Sequence, residues 1–127
     1  MKISVVRSVL EANDAMADEN RQRLTDAGVV AVNVTSAPGS GKTSLLEHTL
    51  PALGRPPRAA VIVGDLQTTR DAERLAVGDV DVVQVNTEGG CHLSASQIAE
   101  GLARLDLQRL DFLFIENIGN MVCPAGF

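Results

Sequence analysis

The stretch from Ser36 to Thr43 constrains the fold of this chain more than any other part of its sequence. It reads Ser-Ala-Pro-Gly-Ser-Gly-Lys-Thr and matches the pattern Gly-x-x-x-x-Gly-Lys-Ser/Thr at every fixed position except the first. An apolar run rich in β-branched residues precedes it at 29–34, and a helical pattern follows it at 42–53. A strand, a glycine loop and a helix in that order predict a loop whose backbone N–H groups bind phosphate. The alternative, a Gly-rich turn with an incidental lysine, leaves the strand and the helix unexplained.

The residue types in this loop suit a nucleoside triphosphate with its bound Mg²⁺. Gly39 and Gly41 let the backbone pass close to phosphate oxygens, and Lys42 can reach the β- and γ-phosphates. The hydroxyl of Thr43 can ligate Mg²⁺. Ser36 stands where the pattern has glycine, and a side chain there costs about 1 kcal/mol if the backbone needs a positive φ. The predicted nucleotide-binding residues of the loop are Pro38, Gly39, Ser40, Gly41, Lys42, Thr43 and Ser44.

Apolar runs of strand length alternate with helical patterns along the chain. Asn13 and Asn20 interrupt the apolar stripe of the first helix. Apolar strands that alternate with helices predict a doubly wound, parallel α/β sheet, whose ligands bind at the carboxyl ends of its strands. The expected organisation is one domain, with a helical segment over 1–28 and the sheet core over 29–127. The predicted strands are 29–34, 59–65, 80–86 and 110–117, and the predicted helices are 4–27, 42–53, 67–76 and 93–105.

Composition and charge limit the kinds of molecule that this protein is expected to bind. The formal net charge is −5, which argues against binding nucleic acid through a basic surface. No apolar run is long enough to span a membrane, and Arg7, Glu11 and Asp14 interrupt the stretch where a secretory signal needs an apolar core. The sequence therefore predicts a cytoplasmic protein that binds neither nucleic acid nor membrane. Its core must be aliphatic, because the chain has no Trp or Tyr and only three Phe.

Two acidic residues end predicted strands, where they can support Mg²⁺ directly or through its water shell. Asp65 ends the second strand and Glu116 lies at the end of the fourth. The alternative for Asp65 is to cap the helix that follows it. Glu116 is the favoured Walker B-type acid, because an acid at the end of a strongly apolar strand is costly unless it is used. Gly119 then falls where a backbone N–H can contact the γ-phosphate.

A further group of residues has the chemistry of a transition-metal site. Cys91 and His92 are adjacent in a Gly-rich turn after the third predicted strand, and Cys123 follows the fourth. Thiolate and imidazole are suitable ligands for Zn²⁺ or Ni²⁺, but three ligands are too few for a closed structural site. A second chain or water must therefore add to them. Spacing alone favours the alternative, which is two small buried thiols and a hydrogen-bonded histidine.

Four segments together resemble the HypB family, the GTPases that help insert nickel into hydrogenase. They read SAPGSGKTSLLE, VGDLQTTRDAERL, VNTEGGCHLSA and LDFLFIENIGNMVCPAGF. The resemblance covers nearly the whole chain, whereas a general P-loop protein would share only the first segment. The urease accessory GTPases are near neighbours, but the sequence ENIGNMVCPA is closer to the HypB pattern.

The resemblance implies a SIMIBI-type P-loop NTPase fold that binds GTP and hydrolyses it slowly to GDP. It also implies a nucleotide-dependent homodimer with a metal site at the interface, and partner proteins of hydrogenase maturation. Carried over by position, Lys42, Asp65 and Glu116 are the implied catalytic residues, and Thr43 joins the two acids around Mg²⁺. The resemblance also implies that the two cysteines and the histidine bind a metal ion, whereas their spacing alone favours buried thiols and a hydrogen-bonded histidine. The implied ligands of Ni²⁺ or Zn²⁺ are Cys91, His92 and Cys123.

The sequence also departs from the family pattern. It contains no Asn-Lys-x-Asp motif, which reads the guanine base and in the family follows on later strands, beyond Phe127. It also lacks the Cys-rich N-terminal motif and the His-rich stretch that some members carry. The expectation is a domain whose sheet is incomplete at the C-terminus, with an uncovered edge beside its last strand.

Two other functions remain compatible with a P-loop. A small-molecule kinase would need a lid bearing arginines, whereas Arg70 and Arg74 lie together on one predicted helix. A metal- and nucleotide-binding interaction module without turnover would share every motif and differ only in lacking hydrolysis.

Overall fold

The computed structural model describes residues 3, 9–35, 41–53, 58–65, 73, 75–76, 80–86 and 93–117 of the chain. Within these ranges the predicted strands, the helix 42–53 and the helix 93–105 are confirmed to within two residues at each end. The predicted helix 67–76 lies mostly outside the described residues. In chain order the elements are α1 (Val9–Ala27), β1 (Val30–Val34), α2 (Lys42–Leu53), β2 (Ala59–Asp65), β3 (Asp81–Asn86), α3 (Ala95–Ala103), a short 3-10 helix (Leu107–Arg109) and β4 (Phe112–Glu116).

The four strands form one parallel sheet in the order β1-β4-β2-β3. The last strand of the chain therefore lies between the first and the second. Its final residue, Glu116, pairs with Val34 of β1 on one side and with Val63 of β2 on the other. The carboxyl ends of three strands thus meet around Glu116, at the place where doubly wound sheets bind their ligands.

This strand order corrects two expectations about the sheet edges. The uncovered edge was expected beside the last strand, but β4 is hydrogen-bonded on both sides, and the edges of the described sheet are β1 and β3. β1 was predicted to be a buried strand, yet Val30 is 54% exposed and Val32 is 38% exposed. The reason is that β1 pairs with β4 alone among the described strands, so one side of it has no neighbouring strand.

The core lies on both faces of the sheet, as the doubly wound prediction requires. Successive side chains of β2 alternate, because Ile62 packs in one cluster and its neighbours Val61 and Val63 pack in the other. The buried members of the first cluster, which includes side chains of α1 and α3, are Leu24, Val29, Ala60, Ile62, Leu93, Ile98, Leu102, Leu110, Leu113 and Ile115. Those of the second, which includes side chains of α2, are Leu46, Leu50, Val61, Val63, Leu75 and Phe114. One aromatic residue among sixteen confirms the predicted aliphatic core.

Helix α1 attaches to the sheet domain through two asparagines as well as apolar contacts. The side chain of Asn20, which is 2% exposed, donates a hydrogen bond of 2.9 Å to the carbonyl of Ala95. The N–H of Ala95 donates in turn to Oδ1 of Asn13, also at 2.9 Å. The two residues that interrupt the apolar stripe therefore hold both backbone polar groups of the first residue of α3. α1 ends at Gly28, whose φ of 72° is in the left-handed region that favours glycine.

We expect Asn20→Ala to lower the free energy of unfolding by about 1 kcal/mol, because it removes a buried hydrogen bond that joins α1 to α3. The measurement is equilibrium unfolding in urea. The matched control is Gln22→Ala on the same helix, since Gln22 is exposed and bonds only locally to Asp26. That control should change stability by no more than about 0.5 kcal/mol. Equal losses in the two variants would show that Asn20 has no docking role.

No helix within the described ranges combines the length and the apolar character needed to cross a bilayer. The longest of them is α1, of 19 residues, and it carries several charged side chains.

Candidate functional site

The amino end of α2 is formed at the end of the glycine loop. Gly41 has a φ of 95°, a backbone conformation that costs a residue with a Cβ about 1 kcal/mol or more. Its carbonyl accepts the first hydrogen bond of α2, from the N–H of Leu45 at 2.8 Å. The N–H groups of the first turn of α2 have no partner within the helix, and the helix dipole makes this end positive. Both effects favour an anion such as phosphate at this position.

The structure describes only some of the other predicted residues of the loop. Pro38, Gly39 and Ser40 lie outside the described residues, so their roles in nucleotide binding stay predictions. Lys42 is the first residue of α2, but only its backbone is described. Ser44 is exposed on the helix, and its carbonyl lies 2.8 Å from Nδ1 of His48, which is exposed as predicted.

Thr43 and Glu116, the two predicted Mg²⁺ residues whose side chains are described, are in direct contact. The hydroxyl of Thr43 donates a hydrogen bond to Oε1 of Glu116. Thr43 is 7% exposed and Glu116 is 3% exposed, so the contact is buried. A hydroxyl and a carboxylate, both oxygen donors, form the kind of ligand set that Mg²⁺ prefers. These residues therefore fit a magnesium ion beside the amino end of α2.

Asp65, the second predicted acid, lies at the same edge of the sheet as far as its backbone is described. It is the last residue of β2 and lies two positions beyond Val63, which pairs with Glu116. It also pairs in register with Asn86, the last residue of β3. Its side chain is outside the described part of the structure, so both its Mg²⁺ role and the alternative capping role stay predictions.

Asn117 is a site residue to which the sequence assigned no role. Its side chain is 1% exposed and contacts two other segments. Oδ1 accepts a hydrogen bond of 2.8 Å from the backbone N–H of Leu93, and Nδ2 donates at 3.3 Å to Oδ1 of Asn33. The backbone N–H of Asn117 donates to the carbonyl of Val34 at 3.0 Å. The available signal was an amide directly after a strongly apolar strand, where a polar group needs partners.

Two of the three predicted metal ligands directly precede the described segment that leads into α3 in the sequence. Cys91 and His92, together with Gly119 and Cys123, lie outside the described residues, so their roles are untested. Within the described ranges, no group of three or more His, Cys, Asp or Glu side chains is arranged to hold a metal ion. The described part of the turn begins at Leu93, whose side chain is fully buried, and passes into a capped helix.

Ser94 caps α3 and fixes the direction in which the chain leaves the turn. Its hydroxyl accepts a hydrogen bond from the N–H of Gln97, and its own N–H donates to Oε1 of Gln97 at 2.9 Å. This is a capping box, which the Ser-x-x-Gln spacing of the sequence encodes. The residues after His92 are therefore held by local capping, by Asn117 and by the contacts of α1 with Ala95.

Comparison with known proteins gives one family and a consistent set of relatives. The family model described as CobW/HypB/UreG, nucleotide-binding domain, matches residues 30–127. The hydrogenase maturation factor HypB of Azotobacter vinelandii is 48% identical over 125 residues, which cover 98% of this chain and 41% of that protein. The HypB of Escherichia coli K12 is 46% identical, with 98% of this chain and 43% of that protein covered.

Two solved structures resemble the fold. The crystal structure of HypB from Helicobacter pylori in complex with nickel matches with a TM-score of 0.81 and 43% identity, covering 89% of this chain and 54% of that one. HypB from Archaeoglobus fulgidus matches with a TM-score of 0.79 and 36% identity, covering 89% and 55%. The chain spans about half the length of the curated relatives it matches, between 41% and 57% of each.

Proposed function

The chain belongs to the CobW/HypB/UreG family, and from that premise we propose that it is the nucleotide-binding part of a GTP-dependent metallochaperone that supplies nickel during hydrogenase maturation. The observation that carries the proposal is the buried contact between Thr43 and Glu116 at the amino end of α2. It joins the loop to the acid-bearing strand, as a magnesium-dependent nucleotide site requires.

In the proposed site the chain's own groups bind and orient the triphosphate. The N–H groups at the amino end of α2 bind phosphate oxygens, and Lys42 pairs with the outer phosphates. Thr43, Glu116 and Asp65 hold Mg²⁺, directly or through its water shell, and Mg²⁺ supplies neutralisation of the phosphate charge. Because Thr43 and Glu116 already contact each other, little side-chain freedom is lost when they bind. Gly119 contributes a backbone N–H toward the γ-phosphate.

The proposed cargo is a Ni²⁺ or Zn²⁺ ion held by Cys91, His92 and Cys123. Thiolates and an imidazole suit both ions. Three ligands from one chain leave coordination positions open, so a nucleotide-dependent homodimer with two such sets around one interface would complete the site. The similarity to a HypB that was crystallised with nickel supports the choice of nickel as cargo. Hydrolysis would then loosen the dimer and free the ion for a partner protein of hydrogenase maturation.

The test is calorimetric titration of the chain with non-hydrolysable GTP and ATP analogues and with Ni²⁺. We expect the GTP analogue to bind more tightly in the presence of Mg²⁺ than in its absence. Ni²⁺ should bind with an affinity that Cys91→Ser reduces by at least about tenfold, because a thiolate ligand is lost. Gln22→Ala, which alters an exposed side chain of α1, serves as the control for Ni²⁺ binding.

Each alternative has its own result in the titration or in a parallel incubation of the chain with hydrolysable GTP. Ni²⁺ affinity that is unchanged in Cys91→Ser would overturn the metallochaperone proposal. Nucleotide binding without release of phosphate from GTP would identify an interaction module without turnover. Transfer of phosphate to a small acceptor would identify a kinase.

A further inference from the structure

We propose that Asn117 is a positioning residue that couples the nucleotide site to the turn carrying Cys91 and His92. The inference rests on the proposed function for the identity of the two sites, but its geometry is independent of it. Asn117 directly follows Glu116 in the chain. The side chain of Glu116 contacts Thr43 of the proposed nucleotide site, whereas the side chain of Asn117 contacts the backbone of Leu93, the residue after His92.

On the nucleotide side, the link begins at α2. The Thr43 hydroxyl donates to the carboxylate of Glu116, and both side chains are buried. A ligand that draws either oxygen toward Mg²⁺ changes this contact and with it the end of β4. Residues 116 and 117 share a peptide bond, so a displacement of Glu116 reaches Asn117 without any intervening side chain.

On the metal side, the link ends at the peptide bond between His92 and Leu93. The N–H of Leu93, which belongs to that peptide bond, donates to Oδ1 of Asn117 at 2.8 Å. The predicted ligand His92 is therefore joined covalently to the group that Asn117 holds. Cys123, the third predicted ligand, follows Asn117 in the same segment of the chain. Asn117 is therefore joined by a hydrogen bond to the residue after His92, and it precedes Cys123 by six positions in the sequence.

The orientation of the Asn117 amide follows from its partners. The N–H of Leu93 can only donate, so Oδ1 must face it, and Nδ2 then donates to Oδ1 of Asn33. The backbone N–H of Asn117 is held by the carbonyl of Val34. Both of these contacts are with the end of β1, which directly precedes the glycine loop. Asn117 thereby connects Leu93 to the end of β1 and to the end of β4, and both strand ends border the proposed nucleotide site.

A second pair of hydrogen bonds holds the segment after Leu93 and involves no residue of the proposed nucleotide site. Asn13 and Asn20 of α1 bind the N–H and the carbonyl of Ala95, two residues beyond Leu93. Removal of Asn20 loosens the turn without altering the contact with Asn117. The chain therefore contains a matched control for a purely structural effect.

The test is hydrogen exchange of the Leu93 amide, followed by NMR in the GDP complex and in the complex with a non-hydrolysable GTP analogue. In the unmodified chain we expect the exchange rate to differ about tenfold between the two complexes, the effect of one hydrogen bond gained or lost. Asn117→Leu, which has the same side-chain branching and no polar atoms, should abolish the difference. Asn117→Asp, which keeps the acceptor, and Asn20→Ala, which leaves Asn117 intact, should both retain it.

Ni²⁺ titration of the same proteins gives the second readout. The ratio of Ni²⁺ affinities in the two nucleotide complexes should lie within about 5–150-fold for the unmodified chain and Asn20→Ala, and fall to about 1 for Asn117→Leu. Equal Leu93 exchange in both complexes of the unmodified chain, or an unchanged difference in Asn117→Leu, overturns the inference while the proposed function stands. Ni²⁺ binding that is insensitive to Cys91→Ser overturns the proposed function, and Leu93 exchange still decides the role of Asn117.

Discussion

Replacing Thr43 by valine is expected to weaken binding of the magnesium complex of a GTP analogue by about 100-fold, because it removes an oxygen proposed to hold Mg²⁺. Valine has nearly the same shape as threonine, so the packing of this buried position should survive. The change also removes the hydrogen bond that the Thr43 hydroxyl donates to Glu116. The measurement is the dissociation constant of a fluorescent GTP analogue with Mg²⁺ present and with Mg²⁺ chelated.

The chain offers two controls for Thr43→Val. Thr43→Ser keeps the hydroxyl and should bind the nucleotide nearly as well as the unmodified chain. Thr49→Val lies on the same helix, but within the described residues the hydroxyl of Thr49 donates to the carbonyl of Leu45 one turn earlier, so nucleotide affinity should not change. A loss that is equally large when Mg²⁺ is chelated would contradict a metal-binding role and indicate damage to the loop.

Truncating Leu113 to alanine is expected to lower the free energy of unfolding by about 2–5 kcal/mol. Leu113 lies in the inner strand β4, its side chain is completely buried, and its backbone pairs with Ala31 on one side and Ala60 on the other. Strands on both sides restrict how far the sheet can collapse into the cavity that the truncation leaves. Equilibrium unfolding in urea, followed by circular dichroism, measures the loss.

Leu45→Ala is the matched control for Leu113→Ala, because Leu45 is 58% exposed on α2. The same chemical change there should alter stability by no more than about 0.5 kcal/mol. Similar losses at the two positions would mean that β4 is not the centre of the core. The stated strand order would then be wrong as well.

Elements whose stability is encoded locally could be predicted from the sequence. α2 begins and ends at the predicted residues because a glycine with positive φ sets its start, and β2 matches because its apolar run is contiguous and ends at Asp65. The contact of Thr43 with Glu116 could be anticipated too. Both residues belong to patterns with known positions in the fold, and parallel strands bring their carboxyl ends to one edge.

Features that depend on pairing between distant residues could not be predicted in this way. The sequence shows Asn13 and Asn20 only as interruptions of an apolar stripe, because their partner, Ala95, is identified by the packing of α1 on α3. The exposure of Val30 likewise follows from strand order, which no local pattern specifies. Asn117 was visible as an amide after an apolar strand, but the segment that it holds could be known only from the fold.

The position of the last strand inside the sheet has a consequence for synthesis of the chain. β1 and β2 are not neighbours, and β1 pairs with β4 alone among the described strands, so Val30 must wait for Phe112 to be translated. At about 5–20 residues per second, the ribosome holds β1 without its partner strand for several seconds. Contacts so distant along the chain also make folding slow compared with that of helical proteins of similar size. β1 therefore stays without its neighbouring strand until Glu116 has left the exit tunnel, and this interval is when a chaperone would bind the nascent chain.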